Sequence, residues 1–139
     1  MTESDYTIEI LSDSSNLIVV EEFINMVAVD FKLKEERLPG LLLAITEATT
    51  NAIIHANKKD KSKTVRISAR REGDDLFIIV KDEGSGFDPS SIPDPTAPEN
   101  LLKDSGRGLY LMRIYSDELT YNITPDGTET ILRIRLNES

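Results

Sequence analysis

Three short stretches carry residue types that could do chemistry together. Glu47, Asn51 and His55, in EATTNAIIH, recur every four residues, so on a helix they form one polar stripe. A carboxylate and an amide oxygen one turn apart suit a hard cation. Magnesium takes oxygen ligands, often only one or two from protein, and completes its shell with waters and phosphates. Asp82, in DEGSGFD, follows the apolar run Leu76-Phe77-Ile78-Ile79-Val80. With period-two alternation it extends the inward row of Leu76, Ile78 and Val80. A carboxylate there needs a donor, and an exocyclic amine such as that of adenine is one. Gly84 and Gly86 would keep Cβ atoms away from a planar ring. The third stretch is Ser105-Gly106-Arg107-Gly108, where N–H groups at a helix start, approached closely over glycine, suit phosphate oxygens. Arg107 and Lys103 are the basic candidates beside it.

Taken singly, each stretch also has a plainer meaning: a solvated helix flank, a strand exit built of turn residues, a turn opening a helix. Neither the P-loop spacing nor the dinucleotide GxGxxG spacing occurs in the chain. What stands out is their order along the chain. A carboxylate-amide helix precedes a strand ending in Asp-x-Gly-x-Gly, then a long aperiodic segment, GxG, and Gly127-Thr128 before a last strand.

The elements that must position these residues follow from hydrophobic periodicity. Tyr6 to Leu11 reads as a first strand, and Ser12-Asp13-Ser14-Ser15 supplies caps for a helix over Leu17 to Val27. A second helix is predicted from about Pro39 to Ala56, with Leu41, Ala44, Ile45, Ala48, Ala52 and Ala56 on its apolar face. Strands follow over Thr64 to Ala69 and Leu76 to Val80, joined by a turn at Gly73-Asp74-Asp75. Residues 83–105 hold four of the six prolines and no periodicity, which suggests a functional lid or binding loop. A short helix from Leu109 and strands near Glu118 to Ile123 and Thr130 to Leu136, joined at Pro125-Asp126-Gly127, close the chain. Helices on one face of a mixed, mainly antiparallel sheet make a two-layer α+β sandwich, expected as one domain over 1–139.

Composition narrows the function. The chain has 139 residues, 39% hydrophobic and 29% charged, with a net charge of −9. That charge argues against general nucleic-acid binding and against an anionic membrane surface. With no cysteine and one histidine, a disulfide framework, a thiolate nucleophile and a multi-histidine metal site are all excluded. No apolar stretch approaches the ~20 residues that span a bilayer, and the N-terminus lacks the order of a signal peptide. A cytoplasmic protein is expected.

EATTNAIIHAN, DEGSGFD, SGRGLYLM and DGTETILRIRL, in this order and spacing, resemble the nucleotide-binding domain of the GHKL superfamily, which includes gyrase and sensor histidine kinases. The closest likeness is to small bacterial anti-sigma-factor serine/threonine kinases of the RsbW and SpoIIAB type. The resemblance implies ATP as cofactor, with Asn51 ligating Mg²⁺ and Glu47 as general base toward the acceptor hydroxyl. It implies that Asp82 binds the adenine amino group, with Gly84 and Gly86 shaping its pocket and Thr128 supporting it through water. Gly106 and Gly108 would hold phosphates at the end of a flexible lid at about 88–106. The basic residue that often precedes GxG in that family is missing here, so the resemblance leaves the phosphate contact to Lys103 or Arg107, or leaves it weak. His55 is assigned to support through a structural hydrogen bond.

The implied activity is phosphoryl transfer to a serine or threonine of a small anti-anti-sigma (STAS-type) protein. The implied alternative partner is a sigma factor that the kinase sequesters, and a homodimer is a further expectation. A sensor histidine kinase would need a dimerising hairpin with its own phosphorylated histidine, which the residues before Glu35 cannot supply. The non-enzymatic rival is an ATP-binding or partner-binding stoichiometric inhibitor that transfers no phosphate.

Overall fold

The computed structural model describes residues 5–84 and 110–136. Strand β1 (Tyr6–Leu11) leads through a single 3₁₀ turn, Ser14–Asn16, into helix α1 (Leu17–Asp30). Asp13 caps that turn by accepting the Ser15 N–H at 3.0 Å, the role expected of an Asx residue at a helix start. Helix α2 (Leu38–Asn51) begins with Pro39 in its first turn and continues into a π-helical turn, Ala52–Ala56. Strands β2 (Thr64–Glu72), β3 (Asp75–Lys81), β4 (Glu118–Thr124) and β5 (Gly127–Arg135) follow, with residues 110–114 helical ahead of β4.

The strands form one sheet in the order β1-β2-β3-β5-β4. All its pairings are antiparallel, so the parallel pair that a mixed sheet allows is not found among the described residues. Gly73 and Asp74 make the two-residue β2–β3 turn, and Gly73 takes the positive φ of +61° that such turns demand. Pro125 and Asp126 play the same part between β4 and β5.

Alternation along β3 puts Leu76, Ile78 and Val80 in the core, where they meet Ile24 of α1, Ile45 of α2, and Ile67, Leu132 and Ile134 of the neighbouring strands. Met112, from the helical stretch after the undescribed segment, is buried in the same cluster. Both helices thus close one face of the sheet, and each fully buried aliphatic side chain contributes about 1.5–3 kcal/mol.

The second helix departs from its expected face at its end. Leu41, Ala44, Ile45, Ala48 and Ala52 are buried as the 3.6-residue period requires, but Ala56 is only half-buried. The reason is the π turn. Asn57 N–H donates to Ala52 O at 2.9 Å, a five-residue step that shifts the buried register by one position. Asn57, not Ala56, therefore follows Ala52 into the interior.

Candidate functional site

Asp82 leaves the end of β3 pointing inward, 5% exposed, as the alternation predicts. Its Oδ1 accepts two backbone N–H bonds, from Gly84 at 2.9 Å and from Thr128 at 3.1 Å. Its own N–H donates to Thr128 O at 3.0 Å. Oδ2 receives no hydrogen bond from the described residues, which leaves one oxygen of a buried carboxylate for a further donor. Thr128 itself is 1% exposed, and its hydroxyl has no hydrogen-bond partner among the described residues. A buried hydroxyl without a partner is costly unless water or a ligand completes it.

Two glycines let the backbone close up around this carboxylate. A Cβ on Gly84 would lie 2.7 Å from Ala56 O and 2.9 Å from Ala56 Cβ. A Cβ on Gly127 would lie 1.9 Å from Asp82 O, and Gly127 has a φ of +149°, a conformation side chains disfavour. The Asp82–Gly84 segment is thereby pressed between the end of the α2 helix and the start of β5.

Asn57 completes the frame. Its Nδ2 donates to Ser12 Oγ at 2.9 Å and to Thr64 O at 3.0 Å, while its Oδ1 accepts the Glu83 N–H at 2.8 Å. Ser12 Oγ in turn donates to Lys63 O at 2.8 Å. Glu83 Oε2 accepts from both Thr64 N and Thr64 Oγ1. Every polar atom of the Asn57 amide is used, the condition under which a buried polar group is tolerated. Lys58 and Lys59 follow in left-handed conformation, and Lys59 N–H returns to Ile53 O at 2.8 Å, a helix stop that sets cations against the negative end of the helix dipole.

Glu47 and Asn51 lie on the flank of α2, half-buried, and neither side chain is engaged by another described residue. Their oxygens are therefore available, as a cation shared with phosphates would require. Among the described residues no group of three or more His, Asp or Glu side chains gathers to hold a metal by itself. His55 lies in the π turn, exposed and without a hydrogen bond to the described residues. The structural hydrogen bond expected of it is not found among the described residues.

Of the sequence-derived candidates, Glu47, Asn51, Asp82, Gly84 and Thr128 fall within the described residues. The backbone N–H groups of Gly84 and Thr128 are both brought onto the Asp82 carboxylate. Gly86, Lys103, Gly106, Arg107 and Gly108, with the lid at about 88–106, lie outside the described residues. Sequence reasoning missed Asn57. An isolated Asn ahead of a lysine-rich turn has no periodic signal, and its partners at residues 12, 64 and 83 are distant in sequence.

A helical layer over an antiparallel sheet, with a buried aspartate at a strand end framed by glycines, defines an ATPase domain of the histidine kinase type. The family described as histidine kinase-like ATPase domain matches residues 10–134, and the chain belongs to it, within the GHKL group. Among curated relatives it is 36% identical over 107 residues to an anti-sigma F factor of Clostridium perfringens, covering 73% of this chain and 75% of that protein. It is 39% identical over 102 residues to a serine-protein kinase RsbW of Bacillus licheniformis, covering 69% of this chain and 64% of the relative. Among solved structures, the RsbU and RsbW domains of a Mycobacterium tuberculosis protein match with a TM-score of 0.67 at 17% identity, over 96% of this chain and 33% of that one. The histidine kinase domain of a blue-light-activated kinase from Erythrobacter litoralis matches with a TM-score of 0.58 at 20% identity, over 91% and 62%. At such identities these two likenesses concern the fold alone.

Proposed function

We propose that the chain binds ATP with Mg²⁺ and transfers the γ-phosphoryl group to a serine or threonine of an anti-anti-sigma protein, and that it sequesters a sigma factor in a competing complex. The single observation that carries the nucleotide part is the Asp82 carboxylate. One oxygen is fixed by two N–H donors, the other receives none from the described residues, and Thr128, which supplies one of those donors, carries a buried hydroxyl with no partner among the described residues. A buried acceptor fixed in this way selects an amine such as the one on adenine. The kinase part is supported by the names of the relatives, an anti-sigma F factor and a serine-protein kinase.

In this reading Asp82 and Thr128 orient the base, and Gly84 keeps the approach to it clear. Asn51 would hold Mg²⁺ through its amide oxygen, and the ion would supply charge neutralisation at the phosphates. Glu47, one turn earlier on α2, would accept the proton of the attacking hydroxyl. Lys103, Gly106, Arg107 and Gly108 would close on the phosphates, Gly86 would complete the base pocket, and a second copy of the chain would form a homodimer. In this reading the protein acts in the cytoplasm. Phosphorylation of the acceptor adds charge at its interface, and that charge would exchange one partner for the other.

The test is transfer of label from γ-labelled ATP to a serine-bearing anti-anti-sigma protein of the same organism. Labelled acceptor that disappears with Glu47→Ala supports the kinase. Nucleotide binding without transfer to any such acceptor replaces it with the stoichiometric inhibitor.

A further inference from the structure

We infer that Asn57 is a positioning residue for base recognition: its side-chain amide holds the Asp82–Glu83 peptide so that the free Asp82 oxygen faces the purine. The inference rests on the role proposed above for Asp82. It also gives a purpose to the π turn, which no part of the proposed chemistry otherwise uses.

The Asp82–Glu83 peptide is gripped from two sides. Its carbonyl oxygen lies against the Cα of Gly127, where any Cβ would come within 1.9 Å. Its N–H, carried by Glu83, donates into Asn57 Oδ1 at 2.8 Å. Holding that plane constrains the next N–H along, on Gly84, which is one of the two donors to Asp82 Oδ1. The other donor, Thr128 N–H, comes from the strand that Gly127 opens. The orientation of the carboxylate is therefore set by backbone groups, and Asn57 sets one half of that backbone.

Asn57 is itself held firmly enough to do this. Both of its Nδ2 hydrogens are committed, to Ser12 Oγ and Thr64 O, so the amide cannot turn over to present nitrogen to Glu83. It is 1% exposed, so no bulk water competes for Oδ1. It reaches this place only because the five-residue step from Ala52 turns it inward. Continued α-helical spacing would have put Ala56 there, a residue with no acceptor.

The experiment compares ATP with purine riboside 5′-triphosphate, which lacks the 6-amino group, by calorimetric titration with Mg²⁺. In Asn57→Ala the preference for ATP falls about tenfold, while affinity for the amine-free nucleotide changes less than about twofold. Combining Asn57→Ala with Asp82→Asn lowers the preference no further than Asp82→Asn alone, the non-additivity expected of residues acting through one contact. A residue that merely stabilises the fold would weaken both nucleotides equally or neither, and that result overturns the inference. If Asp82→Asn erases the preference and Asn57→Ala keeps it, only the present inference fails. If Asp82→Asn keeps the preference, the proposed role of Asp82 fails and this one with it. Should Asn57→Ala not fold, Asn57→Ser carries the same readout. Hydrogen exchange on the native chain adds a check: the Glu83 amide exchanges as slowly as that of Thr128, and exchange at an exposed-loop rate overturns the inference.

Discussion

The carbonyl of Asp82 and the α-carbon of Gly127 meet face to face. A methyl group built on Gly127 would stand 1.9 Å from that oxygen, far inside any van der Waals contact. The residue that would bind the base and the glycine that opens β5 are thus a single packing unit, and neither can move without the other.

Gly127→Ala is accordingly expected to be among the most damaging single changes in the chain. It combines an unfavourable φ of +149° with a backbone clash that no side-chain rearrangement can relieve. A loss of roughly 3 kcal/mol or more is expected from the strain and displaced backbone together, measured by urea unfolding. Gly73→Ala is the contrast. Its φ of +61° is also disfavoured, but nothing lies within 4 Å of the added Cβ, so it should cost only about 1 kcal/mol.

Asp82→Asn should weaken ATP binding at least about tenfold, a difference of roughly 1.4 kcal/mol. The amide oxygen can still receive Gly84 and Thr128, but the second position becomes an NH₂ that repels an incoming amine. Calorimetric titration decides it, and unchanged affinity would remove Asp82 from base recognition.

Asn51→Ala should abolish the part of ATP binding that depends on magnesium and leave the metal-free part in place. The Asn51 side chain caps nothing and is engaged by no other described residue, so the change carries little structural penalty. Titrations with Mg²⁺ and with EDTA separate the two parts. Equal magnesium dependence in both proteins would shift the metal to other ligands.

Acid should loosen the base of α2. Asp117 Oδ2 accepts Arg37 Nη1 at 3.0 Å and the Arg135 N–H at 2.7 Å. Burial pushes the Asp117 carboxyl up, but the Arg135 N–H and the Arg37 guanidinium outweigh it, so its pKa is lowered. A carboxyl with a depressed folded pKa adds stability above its unfolded value, near 3.9, and loses it as pH falls through the folded value. Arg37→Leu should therefore cost about 1–2 kcal/mol at pH 7, and the gap to the parent should narrow below about pH 4. Urea unfolding at both pH values checks this; a constant gap would mean that the pair is not what acid breaks.

Much of the architecture was legible in the sequence because it rests on short-range pattern. The alternation of Leu76, Ile78 and Val80 put Asp82 inside, and the spacing of Leu41, Ala44, Ile45, Ala48 and Ala52 fixed the buried face of α2. What could not be read was the end of that helix. The residues AIIHA have nothing in their composition that announces a π turn. The step becomes favourable only through distant partners, since Asn57 satisfies Ser12, Thr64 and Glu83 at once. Gly127 precedes Thr128 in the sequence, but its closeness to Asp82 comes from pairing between strand ends far apart along the chain.

The surplus residue in the turn after α2 also bears on engineering. A designer lifting the ATP helix into another scaffold would naturally copy Leu38 to Asn51 and let a standard helix finish it. Such a graft would carry the groups proposed for the metal and the acceptor hydroxyl, yet leave behind the amide that holds the Asp82–Glu83 peptide. The portable unit ends at Asn57, and it must travel together with its counterpart loop.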